Sequence, residues 1–174
     1  MRIAKVIRDK EILWTLLQQI KKLDEQTFIV CLLGAYTGAR FRELRSLPVK
    51  ELRGKNIHLG TQLYRGTGRI VLVNDRIKWP LYEYCEKQKD GTKPVLYKDD
   101  GTFLTLLVAN KVVTKAASEL GLSGITVTSF RKTFGHKICQ GMEVKESALD
   151  VTGFHFDSEV DLHTMFELEK GGWE

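Results

Sequence analysis

The stretch YTGARFRELRSL, residues 36–47, decides how the rest of the chain is read. It closes the run EQTFIVCLLGAYTG, which is apolar almost all round after Thr27 and so predicts a central, buried helix. Gly38 is placed to stop that helix, because glycine adopts the left-handed cap conformation without a Cβ clash. A second, short helix is predicted over ARFRELRSL, closed by Pro48, with Arg40 in its first turn. A guanidinium beside the free amides of a helix start is a good receptor for a phosphate oxyanion. Glu43, three residues on, is placed to hold the Arg40 side chain. The bland alternative is that Arg40, Arg42, Glu43 and Arg45 are the solvated face of a short helix.

Upstream, an amphipathic helix is predicted over residues 9–23. Asp9 is its N-cap, and Ile12, Leu13, Leu16, Leu17 and Ile20 form an apolar stripe at helical spacing. Downstream the texture changes. KNIHLGTQ and GRIVLVN have strand character, with Gly60, Gly66 and Gly68 marking turns. A helix is expected near residues 79–87, with Pro80 in its first turn. KPVLY then leads into the turn KDDG, and a long helix is predicted from Phe103 to Leu120, ending at Gly121. TSFRKTFGHKICQ, VKESALDVTG and DLHTMFELEK add short helical stretches. The sum is a mostly helical α+β chain with one small antiparallel sheet of about three strands.

The 174 residues suit one domain, and 43% hydrophobic with 28% charged residues is ordinary globular composition. No apolar run reaches the roughly 18 residues of a membrane span, and MRIAKVIRDK lacks a signal-peptide core, so an intracellular, cytoplasmic protein away from membranes is expected. Cys31, Cys85 and Cys139 are far apart among apolar neighbours and read as buried free thiols. The four histidines are not at metal-ligand spacing, and no metal or other cofactor is expected. The net charge of +5 and pI near 9.1 are compatible with a polyanionic partner but are weak evidence for one.

VTSFRKTFGHKI, residues 127–138, repeats the logic of the first stretch. Thr128 or Ser129 is placed to cap a helix, and Arg131 would fall in its opening turn. Two fixed cations are what a metal-free phosphoryl transfer needs, since its transition state spreads negative charge over the non-bridging oxygens.

TGARFRELRSL resembles the signature around the first catalytic arginine of the tyrosine recombinases, the phage-integrase family. The order of the later elements is similar too: a small sheet, a long helix, a His-x-x-Arg box, a Gly-His segment and a terminal short helix. The resemblance covers the chain from about residue 9, and FRK looks most like integrases of archaeal viruses and plasmids. It implies a single catalytic domain over residues 1–174, without the family's N-terminal DNA-clamping domain. It further implies cleavage and rejoining of double-stranded DNA at attachment sites through a 3′-phosphotyrosyl link, with other copies of the chain assembled on the DNA and no cofactor.

Carried over by position, Arg40 and Arg131 would clamp the scissile phosphate. Thr128 stands where the box has histidine, and offers one hydrogen bond but no proton exchange near neutral pH. Arg65 falls nearest the family's turn lysine, which protonates the leaving oxygen; Arg69 and Lys55 are the alternatives. Arginine holds its proton too tightly to be a good general acid. In VTGFHFDSEV, His155 would contact the phosphate or assist the nucleophile, with one residue inserted between it and Gly153. His58, His136 and His163 read as structural.

Phe166 occupies the place of the nucleophilic tyrosine, and no tyrosine follows Arg131. The chain as written is therefore expected to be inactive, through an engineered Tyr-to-Phe change or as a naturally inactive DNA-binding relative. A type IB topoisomerase shares the chemistry and is the nearest enzymatic alternative. A helical binding protein with ordinary surface arginines is the rival of another class.

Overall fold

A computed structural model describes residues 4–59 and 69–140. Helix α1, Lys10–Leu23, begins where Asp9 accepts hydrogen bonds from the amides of Glu11 (2.8 Å) and Ile12 (3.0 Å). Its stripe of Leu13, Leu16, Leu17 and Ile20 is fully buried, while Ile12, predicted to join it, is exposed. Each buried leucine contributes roughly 1.5–3 kcal/mol of apolar burial. Helix α2, Glu25–Thr37, is buried along nearly its whole length, as its composition requires. It stops at Gly38, whose φ of 68° is left-handed and whose amide donates to Gly34 O at 3.1 Å.

Asp24 joins these two helices with no spare residue. Its amide closes α1 on Ile20 O at 2.8 Å, and its carboxylate caps α2 by accepting from the Thr27 amide (2.9 Å) and the Thr27 hydroxyl. Asp24→Ala is expected to cost about 1–2 kcal/mol, the upper range for a lost cap, read as a shift in the urea midpoint at constant slope.

After Gly38 the chain departs from the expected short α-helix. Arg40 is extended (φ −80°, ψ 144°) and caps a 3₁₀ helix, Phe41–Arg45, instead of lying in its first turn. Glu43 Oε2 accepts the Arg40 backbone amide at 2.7 Å, so the carboxylate fixes the arginine's main chain. Pro48 then caps a second 3₁₀ helix, Val49–Arg53. Tight three-residue turns fit a segment bounded by a left-handed glycine and a proline.

The sheet has two described strands where about three were expected. β1, Asn56–Leu59, pairs antiparallel with β2, Arg69–Leu72. Helix α3, Asp75–Lys87, starts four residues ahead of the predicted Trp79, because Asn74 Oδ1 accepts the Arg76 amide at 2.9 Å. Pro80 consequently lies inside the helix, past its first turn. Helix α4, Leu106–Glu119, starts later than predicted, after Thr105 as cap. Phe103 instead bridges to Tyr97 across a small hairpin. That hairpin turns at Gly101 (φ 86°) and is closed by Leu104 N to Leu96 O and Lys98 N to Thr102 O, both 2.7 Å.

Helix α5, Val127–Gln140, packs closely on α2. Thr128 and Ser129 lie within it and do not cap it; Ser129 Oγ accepts the Thr126 amide at 3.1 Å. Arg131 is therefore in the second turn, beyond the four free amides of the helix start. A Cβ on Gly34 would lie 3.3 Å from Phe130 Cβ, so the small residue permits the close crossing. Ahead of α1, the chain lies against this part of the molecule. Lys5 N donates to Gly124 O at 2.9 Å, and Ile7 N donates to Thr133 Oγ1 at 2.9 Å.

Cys31 and Cys85 are buried free thiols, as expected. Among the described residues no helix is long and apolar enough to cross a membrane.

Candidate nucleic-acid interface

Ala39 and Arg40 after α2, the first 3₁₀ helix, the start of α4 and the start of α5 together form a cleft of about 370 Å³. Arg40, Arg42, Thr128 and Arg131 contribute its polar side, and Phe41 and Leu106 line it among the apolar residues. Two stretches read separately in the sequence thus meet at one place. Three guanidinium groups carry charged donors and no acceptor, and the Thr128 hydroxyl adds a neutral donor that can also accept, a set that suits an anion with several oxygens.

Arg131 is held most firmly. It is 8% exposed, and its Nε donates to the carbonyl of Gly38, 93 residues away in sequence, at 3.1 Å. That carbonyl sits at the C-terminus of α2, where unpaired carbonyls carry partial negative charge and favour a cation. The sequence had placed Arg131 at the positive end of its own helix; its described anchor is the negative end of another. Arg40 is half-buried on a main chain fixed by Glu43, and Thr128 is half-buried as well. Arg42, read only as a surface charge, is exposed yet lines the cleft. The i, i+2 spacing from Arg40 hid it, since that pair diverges on an α-helix.

Other candidates lie elsewhere. Lys55 is exposed ahead of β1, with its carbonyl accepting Val73 N at 2.8 Å, and does not line the cleft. Arg69 opens β2, with its side chain outside the description. Arg65, His155, His163 and Phe166 lie outside the described residues. His58 is exposed and pairs with Glu51 at 3.3 Å. His136 is buried on α5, and burial, with Arg8 nearby, lowers its pKa below the ordinary value. Lys137, which no motif singled out, lies 5.0 Å from the Tyr36 ring centroid. Burial, then Lys10 and Arg76, pulls its ammonium below the usual lysine range.

The fold these elements define is that of the tyrosine-recombinase catalytic domain. The solved structure of XerA recombinase is similar over 99% of this chain and 61% of its own (TM-score 0.71, 13% identity). A lambda integrase dimer bound to a COC′ core site is similar over 100% of this chain and 51% of its own (TM-score 0.70, 13% identity). XerH site-specific recombinase bound to difH substrate is similar over 98% and 54% (TM-score 0.65, 20% identity). The chain thus spans roughly half to three fifths of these proteins. In sequence, it is 25% identical over 142 residues to "Probable integrase/recombinase YoeC" of Bacillus subtilis (strain 168), covering 80% of this chain and 77% of that protein. No family profile matches the chain.

Proposed function

We propose that this chain is the catalytic domain of a site-specific DNA recombinase or integrase. On this reading it grips a phosphodiester of double-stranded DNA in the cleft and works in the company of other copies bound to the same DNA. The observation that carries the reading is the convergence of Arg40, Thr128 and Arg131 in one cleft. The likeness to recombinases solved on DNA and to an integrase-like sequence supports it.

The arginines would stabilise the charge that grows on the non-bridging oxygens during in-line attack, and Thr128 would add a hydrogen bond. A tyrosine oxygen forms the new bond to phosphorus and gives up its proton, while the bond to the 5′ oxygen breaks and that oxygen gains one. Arg65, Arg69 or Lys55 is the donor to test for that last proton. His155 would contact the phosphate or the nucleophile, and Phe166 stands at the nucleophile's position. Phenylalanine has no oxygen to attack with, so this chain binds DNA without cutting it.

The test is a Phe166→Tyr variant incubated with suicide duplexes carrying candidate attachment sites. A covalent protein–DNA band on a denaturing gel is expected from that variant and not from the parent chain. DNA binding with no band from any site would instead favour a naturally inactive binding module.

A further inference from the structure

We propose that a ladder of alternating cations and aromatic rings beside the cleft, formed by Arg45, Phe103, Tyr97 and Lys93, is a second contact for the phosphate backbone of duplex DNA. The proposal rests on the DNA reading above and extends the bound strand's path beyond the cleft.

The ladder is continuous. The Arg45 guanidinium carbon lies 5.7 Å from the Phe103 ring centroid, Phe103 meets Tyr97 edge-on at 5.5 Å, and Lys93 Nζ lies 4.6 Å from the Tyr97 centroid. It joins the cleft at two points. Side chains three residues apart eclipse on a 3₁₀ helix, so Arg45 stands in line with Arg42 of the cleft. On the other side, Phe103 lies three residues before Leu106, which lines the cleft.

The backbone beneath is fixed. Val95 N donates to Leu47 O at 2.8 Å and Val49 N to Lys93 O at 2.9 Å, tying Lys93 to the segment that follows Arg45. Gln26 of α2 donates to the carbonyls of Val95 (2.9 Å) and Tyr97 (3.0 Å). The cations are thus presented from a rigid base, and a cation over a ring face loses less freedom when an anion arrives.

Charge and exposure point to phosphate. Arg45, Lys93 and Phe103 are exposed, and among the described residues neither cation forms an ion pair. The neighbouring carboxylates are held in their own turns, although Asp90, whose pKa is lowered by the Thr92 hydrogen bonds, is close enough to feel the Lys93 charge, which adds to that lowering. Asp100 accepts the Thr102 amide (2.9 Å) and hydroxyl (2.6 Å), and Asp90 accepts the same pair of groups from Thr92 at 2.9 and 2.6 Å. The rings are engaged by cations and by each other. The ladder therefore offers positive charge to a backbone more readily than open ring faces to unpaired bases.

The experiment measures binding of a fluorescent duplex by anisotropy across a salt series, with Arg45→Ala/Lys93→Ala compared to the parent chain. Loss of two phosphate contacts should reduce the slope of log K against log salt by about 1.8 and weaken binding at low salt. Arg45→Gln and Lys93→Gln singly should each reduce it by about 0.9, which keeps the test open if the double variant folds poorly. Parent-like slopes in all three variants, with a parent chain that binds, overturn the ladder and leave the DNA reading standing. A parent chain that does not bind the duplex at any salt overturns both.

Discussion

Arg131→Lys, made in the Phe166→Tyr background, should slow formation of the covalent DNA complex by about a hundred- to a thousandfold, the usual loss when one preorganised donor to a reacting oxyanion is removed. Lysine keeps the charge, so the comparison isolates geometry. The guanidinium is planar, with Nε committed to Gly38 O and its remaining donors in a fixed fork. A lysine ammonium that reaches the same carbonyl has no second, oppositely placed group for the phosphate. Single-turnover gels with saturating duplex give the rate, and anisotropy gives the affinity, which should change far less. A rate within tenfold of the parent would show that Arg131 serves as a point charge and that its anchor is irrelevant to chemistry. Arg40→Ala should match Arg131→Lys in sign, since each grips a different oxygen on this reading.

Phe130→Ala should be the most damaging of the substitutions considered to the fold, at about 3–5 kcal/mol. Phe130 is fully buried where α2 and α5 cross, and its Cβ is the atom a side chain on Gly34 would strike. Truncation removes the whole ring from a close-packed core and leaves a cavity there. For a chain of this length that loss lowers the melting temperature by roughly 10 °C. Arg131 is the next residue, so the cleft should loosen before the domain unfolds. Thermal and urea unfolding give the number; a cost below about 1 kcal/mol would mean that neighbours refill the space.

How much of this was legible depended on how local the cause was. Asp9 beside an apolar stripe announced α1, and the composition of EQTFIVCLLGA announced a buried α2, because cap and periodicity lie within a few residues. The start of α3 was missed because Asn74 looked like the end of the strand GRIVLVN, yet its side chain caps the helix. Phe103 was read into α4 for its hydrophobicity, whereas Thr105 makes the cap and Phe103 belongs to a hairpin.

At the site, the types and spacing of Arg40 and Arg131 were enough to single them out. Their meeting in one cleft required the close crossing that Gly34 allows, and Arg131's hold on Gly38 joins residues remote in sequence. The 3₁₀ geometry that aligns Arg42 with Arg45 has no distinctive sequence period at five residues. Arg65, His155 and Phe166 rest on the family resemblance alone.

The two hydrogen bonds ahead of α1 have a mechanical consequence. Lys5 is tied to Gly124 and Ile7 to Thr133, whose hydroxyl donates in turn to Ser129 O at 2.7 Å. A pull on the chain before Lys5 is therefore transmitted to the loop before α5 and to α5 itself before it reaches α1. Tethered by its leading end, the domain would feel tension first in the loop at Gly124 and then, through Thr133, in the helix that carries Thr128 and Arg131, and the hydrogen bonds of Lys5 and Ile7 would have to yield before α1 began to unravel.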